Sequence, residues 1–168
     1  MAFYTTKDQK VKMLSAKAFV GLDLDGTATW TLAKSSDILS YDKTPGNSAP
    51  AFEIPLTDYF SQDELVGTTI DKVVIHYNVT VADITTATAE FHTVAYNATT
   101  NVPAATTVAA TGTLTKTAAA TYAIELTPAS TIKVDQDTLV SLEVVFTGAA
   151  TTAIKLYGLD IYYTPAGE

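Results

Sequence analysis

From residue 19 onward apolar side chains recur at every second position, and this period of two constrains the fold more than any other feature of the chain. Val73, Ile75, Tyr77, Val79 and Val81 share one parity, while Lys72, His76, Asn78 and Thr80 share the other. Tyr122, Ile124 and Leu126 repeat the pattern, as do Val140, Leu142, Val144 and Phe146. Successive side chains of a strand point to opposite faces, so each stretch offers one face to a core and one to water. No convincing helix separates them, which points away from parallel βα units. The expectation is an all-β fold: an antiparallel β-sandwich, jelly-roll-like rather than immunoglobulin-like in strand order, with about eight strands.

Local breaks in the alternation carry their own expectations. In the last stretch Ile154 and Leu156 set one parity and Leu159, Ile161 and Tyr163 the other, so a bulge near Tyr157-Gly158 would restore a common face. A three-residue loop at Leu24-Asp25-Gly26 would pair Val20 and Leu22 with Ala28 and Trp30. "AFEIPL" reads as a short strand in which Pro55 disfavours a central hydrogen-bonded position. Residues 57–65 lose the alternation and read as a short helical turn with Thr57 as its cap. The Thr- and Ala-rich tract 97–121 reads as an edge strand with loops. Residues 1–17 carry four lysines without a clear period and read as an N-terminal arm or short helix, leaving residues 18–168 as a single sandwich domain.

Composition narrows the function. Charged residues make up 17% of the chain and hydrophobic residues 47%, which argues against general disorder. A net charge of -8 and the lack of any arginine disfavour nucleic acid as a partner, because phosphate contacts need cations and guanine is commonly read by an arginine fork. No apolar run is long enough to cross a membrane, and the start of the sequence has no apolar stretch of the signal-peptide kind. Without cysteine there is no disulfide, thiolate metal site or cysteine nucleophile.

One motif spells chemistry. Asp23, Asp25, Gly26 and Thr27 in "LDLDGT" resemble the nucleophile loop of haloacid-dehalogenase-type phosphatases, where the first Asp attacks phosphorus and the second acts as acid and base. That family has a helix after the loop and an α/β core. Here a strand-like "ATWTLAK" follows, and no later acidic pair stands at a convincing strand end. The motif therefore reads as an acidic hairpin, and no enzyme activity and no cofactor are expected. His76 and His92 are the two imidazoles and could face each other across adjacent strands, too few to specify a metal site. Asp135 and Asp137 flank Gln136 in a turn, two carboxylates where calcium wants six or more oxygens. Asn78-Val79-Thr80 and Asn97-Ala98-Thr99 match glycosylation spacing by chance.

Aromatics offer a different chemistry. Trp30 and tyrosines 157, 162 and 163 have flat apolar faces of the kind sugars stack on. Trp30 shares parity with Ala28 and Leu32 and reads as core. Tyr162 and Tyr157 are the ligand-contact candidates, since Ile161 and Tyr163 point the other way from Tyr162.

Threonine and alanine together supply about a third of the chain. In "TATWTLAK" through "ITTATAEFHTVAYNATT", and again in "TGTLTKTAAATYAIELTP" through "AIKLYGLDIYY", the Thr/Ala-dense strands resemble those of small tailed-phage virion proteins: capsid decoration, head-fibre and tail-fibre domains. That resemblance implies a structural protein located in the virion. Its implied partners are copies of itself, with a homotrimer favoured, and a capsid or tail surface. The alternative is a carbohydrate- or host-receptor-binding β-sandwich whose partner is a glycan.

Overall fold

The structure, a computed structural model, describes residues 9–22, 30–35, 37–43, 51–61, 63–64, 67–81, 84–96, 99–100, 102–112, 120–135, 137–148 and 153–166. They form β1 (Lys10–Ser15), β2 (Val20–Leu22), β3 (Trp30–Ser35), β4 (Ile38–Lys43), β5 (Ala51–Pro55), β6 (Thr68–Val81), β7 (Ile84–Tyr96), β8 (Pro103–Thr111), β9 (Ala120–Pro128), β10 (Ile132–Val134), β11 (Thr138–Gly148) and β12 (Ala153–Thr164). Short 3-10 turns occupy Ala16–Ala18 and Leu56–Tyr59. The described strands number twelve rather than about eight; β1 lacks a clear period and β10 is three residues long, so neither shows as a strand in the sequence.

Every pairing among the described strands is antiparallel, and the strands form two layers. Sheet I runs β9-β6-β12-β4-β3, with β10 sharing the edge of β6 beside β9, and β1 sharing the edge of β12 beside β4. Sheet II runs β2-β5-β11-β7-β8. The layers join where β8 leaves β7 and pairs Ala110 and Thr111 with Pro128 and Thr127 of β9. This is the antiparallel jelly-roll-like sandwich that the alternation implies.

The core lies between the sheets. Val73, Ile75, Tyr77 and Val79 of β6 are buried on one side, and Val140, Leu142, Val144 and Phe146 of β11 on the other. Aromatic rings knit the two layers: Tyr77 lies 5.9 Å from Phe146, and Phe52 of β5 lies 5.9 Å from Trp30 of β3. Burying side chains of this size contributes about 1.5–3 kcal/mol each.

Several local expectations are corrected. The loop residues Leu24, Asp25 and Gly26 lie outside the described residues, as do Asp23 and Thr27. Among the described residues the two arms they were to join do not pair with each other: β2 pairs with β5, and β3 pairs with β4. Alternation fixes the face of a strand but not its neighbour, and the two segments end at opposite edges of the strand order. They meet across the sandwich instead, where the Gly21 amide donates to the Tyr41 hydroxyl at 2.9 Å. Leu32 is exposed although it shares parity with Trp30. Lys10–Ser15, within the stretch read as an arm or short helix, lies along β12. Thr57 does not cap its turn, of which it is the second residue: its hydroxyl accepts from the Val140 amide at 3.4 Å, tying the turn to β11. Pro55 sits beyond the end of β2, so its missing N–H leaves no pairing with β2 unmade.

The bulge in β12 falls where the parity changes. Leu156 opposes Tyr77 and Gly158 opposes His76, so Tyr157 is the extra residue. Ile154 and Leu156 before it, and Leu159, Ile161 and Tyr163 after it, all point into the core.

Candidate functional site

The bulge places Tyr157 where β12 changes neighbours. Leu156 pairs with Tyr41 of β4, and Gly158 with Ser15 of β1, so Tyr157 stands at the gap between two strands that share one edge. Bulges re-aim a side chain at such points. Tyr157 is half-buried on the outer face of sheet I and forms a wall common to two depressions. The first, about 360 Å³, is completed by Met13, Leu14 and Ser15 of β1, His76 of β6, and Gly158 and Asp160 of β12. The second, about 310 Å³, is lined by Ser35, Ile38, Ser40, Asn78, Thr80 and Lys155. Both lie at the small end of the range for ligand pockets, about 300–1,000 Å³.

Polar groups on this face come in donor-acceptor pairs. His76 Nε2 lies 3.0 Å from Asp160 Oδ2. Lys155 Nζ donates to Asp42 Oδ2 at 3.1 Å. Asn78 Nδ2 donates to Thr121 Oγ1 at 3.1 Å, and the Thr80 hydroxyl to the Ala153 carbonyl at 3.3 Å. Ser15 adds an exposed hydroxyl, and Met13 an apolar side chain that is 80% exposed.

Tyr162 projects from the same face further along β12, beyond Asp160, while Ile161 and Tyr163 are buried. The Lys72 ammonium sits 4.7 Å from the centre of its ring and also donates to Glu125 Oε2 at 2.7 Å. That hydrogen bond holds the Lys72 pKa above its ordinary value. The two ligand-contact candidates therefore share one sheet face, with the His76–Asp160 pair between them.

Other candidates are dispersed. Tyr163 packs into the core with Phe60, ring centres 5.0 Å apart, and its hydroxyl donates to Glu64. Trp30 is half-buried and stacks on Tyr41 at 5.3 Å, with 5° between the ring planes. His76 and His92 are not neighbours: His76 belongs to sheet I and His92 to sheet II, where it faces Thr107 and Glu143. Asp135 and Asp137 border a turn closed by the Thr138 amide on the Asp135 carbonyl. Met13 and Ser15 went unrecognised in the sequence because β1 shows no clear period, and Ser35 and Ile38 because sequence does not show which strand β4 joins.

No family model and no curated protein matches the chain. Among solved structures, the fold is similar to part of a structure that holds the CBM22-1 and GH10 modules of an endo-1,4-β-D-xylanase from Clostridium thermocellum, solved with xylohexaose. That alignment has a TM-score of 0.52 and 12% identity, and it covers 90% of this chain and 27% of that chain. The CBM22-1 xylan-binding domain from Paenibacillus barcinonensis aligns over 97% of this chain and 100% of its own, with a TM-score of 0.49 and 13% identity. The enzymatically active domain of tailspike protein 4 of bacteriophage CBA120 aligns over 94% of this chain and 19% of its own, with a TM-score of 0.35 and 11% identity. The chain thus spans about a quarter of the xylanase structure, and the likeness to it is one of fold.

Proposed function

We propose that the chain is a non-catalytic carbohydrate-binding β-sandwich whose ligand lies across Tyr157 on the outer face of sheet I. The observation that carries this reading is the bulge that makes Tyr157 the common wall of two adjoining depressions edged by hydroxyl, amide, carboxylate and imidazole groups. A sugar ring has an apolar C–H face and a rim of hydroxyls that donate and accept. An aromatic face with donor-acceptor pairs beside it matches both. This supports the ligand-binding alternative over a purely structural role.

The test is calorimetric titration with soluble glycans, starting with xylan because a structure of similar fold was solved with xylohexaose. Binding is expected, with Tyr157→Ala weakening it at least about tenfold at an unchanged melting temperature. Absence of binding to every glycan, or an unaffected Tyr157→Ala, overturns the proposal.

A virion assembly unit is the second reading, and one observation favours it. Among the described residues, 103–108 of β8 pair only with β7, and this segment, "PAATTV", exposed up to Thr107, carries no charge. Uncharged open edges invite pairing with another strand, which charged residues normally prevent. A trimer by light scattering would support this reading, and a monomer at all concentrations would remove it.

A further inference from the structure

We infer, resting on the carbohydrate-binding reading, that this face selects neutral glycans and rejects acidic ones. Among the described residues, the cationic groups that flank Tyr157 and Tyr162 are each matched to a carboxylate: Lys155 to Asp42, His76 to Asp160 and Lys72 to Glu125, while Lys133 stands further along the face on β10, opposite Thr69. Lys72 is also held over the Tyr162 ring. A glycan carboxylate or sulfate would have to displace one of these protein carboxylates to gain a cation, and the displaced group would then lose its own partner. Lys155 and Lys72 stand beside the three carboxylates of Asp42, Asp160 and Glu125, two fixed cations against three anions, and the charge of the whole chain is negative as well.

The recognition hardware points the same way. Bidentate capture of carboxylate or sulfate is the work of arginine, and the sequence has none. The remaining polar groups around Tyr157 are the uncharged Ser15, Ser35, Ser40, Asn78 and Thr80, which suit hydroxyls that donate and accept. Specificity here rests on repulsion as much as on fit.

The experiment titrates the full chain with xylan and a neutral β-glucan, and in parallel with polygalacturonate and heparin, at low and high salt. The expected result is binding to a neutral glycan that changes less than about twofold with salt, and binding to the acidic glycans at least about tenfold weaker. Glu125→Gln and Asp42→Asn each release a lysine and are expected to strengthen acidic-glycan binding several-fold, in a salt-dependent way. Wild-type binding to polygalacturonate or heparin as tight as to a neutral glycan overturns the inference while leaving a glycan-binding face intact. Binding to no glycan overturns both.

Discussion

Gly158 of β12 approaches the backbone of Leu14 in β1 so closely that a Cβ on Gly158 would overlap the Leu14 carbonyl oxygen. Backbone cannot swing aside as the end of a flexible side chain can, so β1 would have to move. Gly158→Ala is expected to cost about 1–3 kcal/mol, the usual cost of overpacking, and to loosen β1 from β12. Because β1 supplies Met13 and Ser15 to the depression beside Tyr157, ligand affinity should fall with stability. Urea denaturation and a glycan titration of the same variant check both effects.

Phe52 of β5 has no exposed surface and contacts three other aromatic rings: Phe19 at 5.1 Å, Trp30 at 5.9 Å and Phe146 at 5.9 Å. Since Trp30 belongs to sheet I, this ring joins the two layers. Phe52→Ala is expected to destabilise by about 3–5 kcal/mol, the lost transfer energy plus the cavity. Trp30 is the sole tryptophan of the chain, so its fluorescence should shift in the folded variant and also report the lowered denaturation midpoint.

Much of this fold was legible because a period of two leaves an unambiguous record. The buried faces of β6, β11 and β12 follow directly from alternation, and the parity change around Tyr157 located the bulge. What alternation does not record is the neighbour of a strand. Val20–Leu22 and Trp30 looked like two arms of a hairpin, yet they belong to different sheets. The site shares this limit: Tyr162 was readable as an outward aromatic and Tyr157 as a candidate beside the bulge, but Met13, Ser15 and Ile38 reach Tyr157 only through pairings of β1 and β4 that no local pattern encodes.

Glu64 ties three segments together. Its carboxylate accepts from the Ser61 amide and hydroxyl, from Lys12 of β1 and from the Tyr163 hydroxyl of β12. The Ser61 amide is the main cause that lowers its pKa from 4.5 to about 2; partial burial opposes the shift, and Lys12, the Ser61 hydroxyl and Tyr163 add to it. A depressed folded-state value means that the stabilisation is fully present above about pH 4.5 and is lost as pH falls toward 2. Glu64→Gln is expected to lower stability at neutral pH by about 1 kcal/mol, discounted because the side chain is 30% exposed. The deficit should shrink as pH falls through this window, so denaturation midpoints of wild type and variant should converge near pH 2. A constant offset at all pH values would show that shape, not charge, is what Glu64 supplies.

Sheet II carries an arrangement that works against its own stability. Glu143 of β11 lies directly opposite Glu53 of β5 on one side and Glu90 of β7 on the other, so three carboxylates form one row across adjacent strands. Like charges directly opposite on a sheet are destabilising, and the central residue meets both neighbours. His92 offers only partial relief, its Nε2 standing 3.9 Å from Glu143 Oε2. Glu143→Gln keeps the shape and removes the central charge, so it is expected to raise stability at neutral pH by about 0.2–1 kcal/mol. Salt at about 1 M shortens the screening length to about 3 Å and should erase most of the gain by stabilising the wild type. Thermal melts of both proteins at low and high salt decide it: a gain that persists in high salt would place its origin in packing, and a loss would mean that the His92 contact outweighs the row.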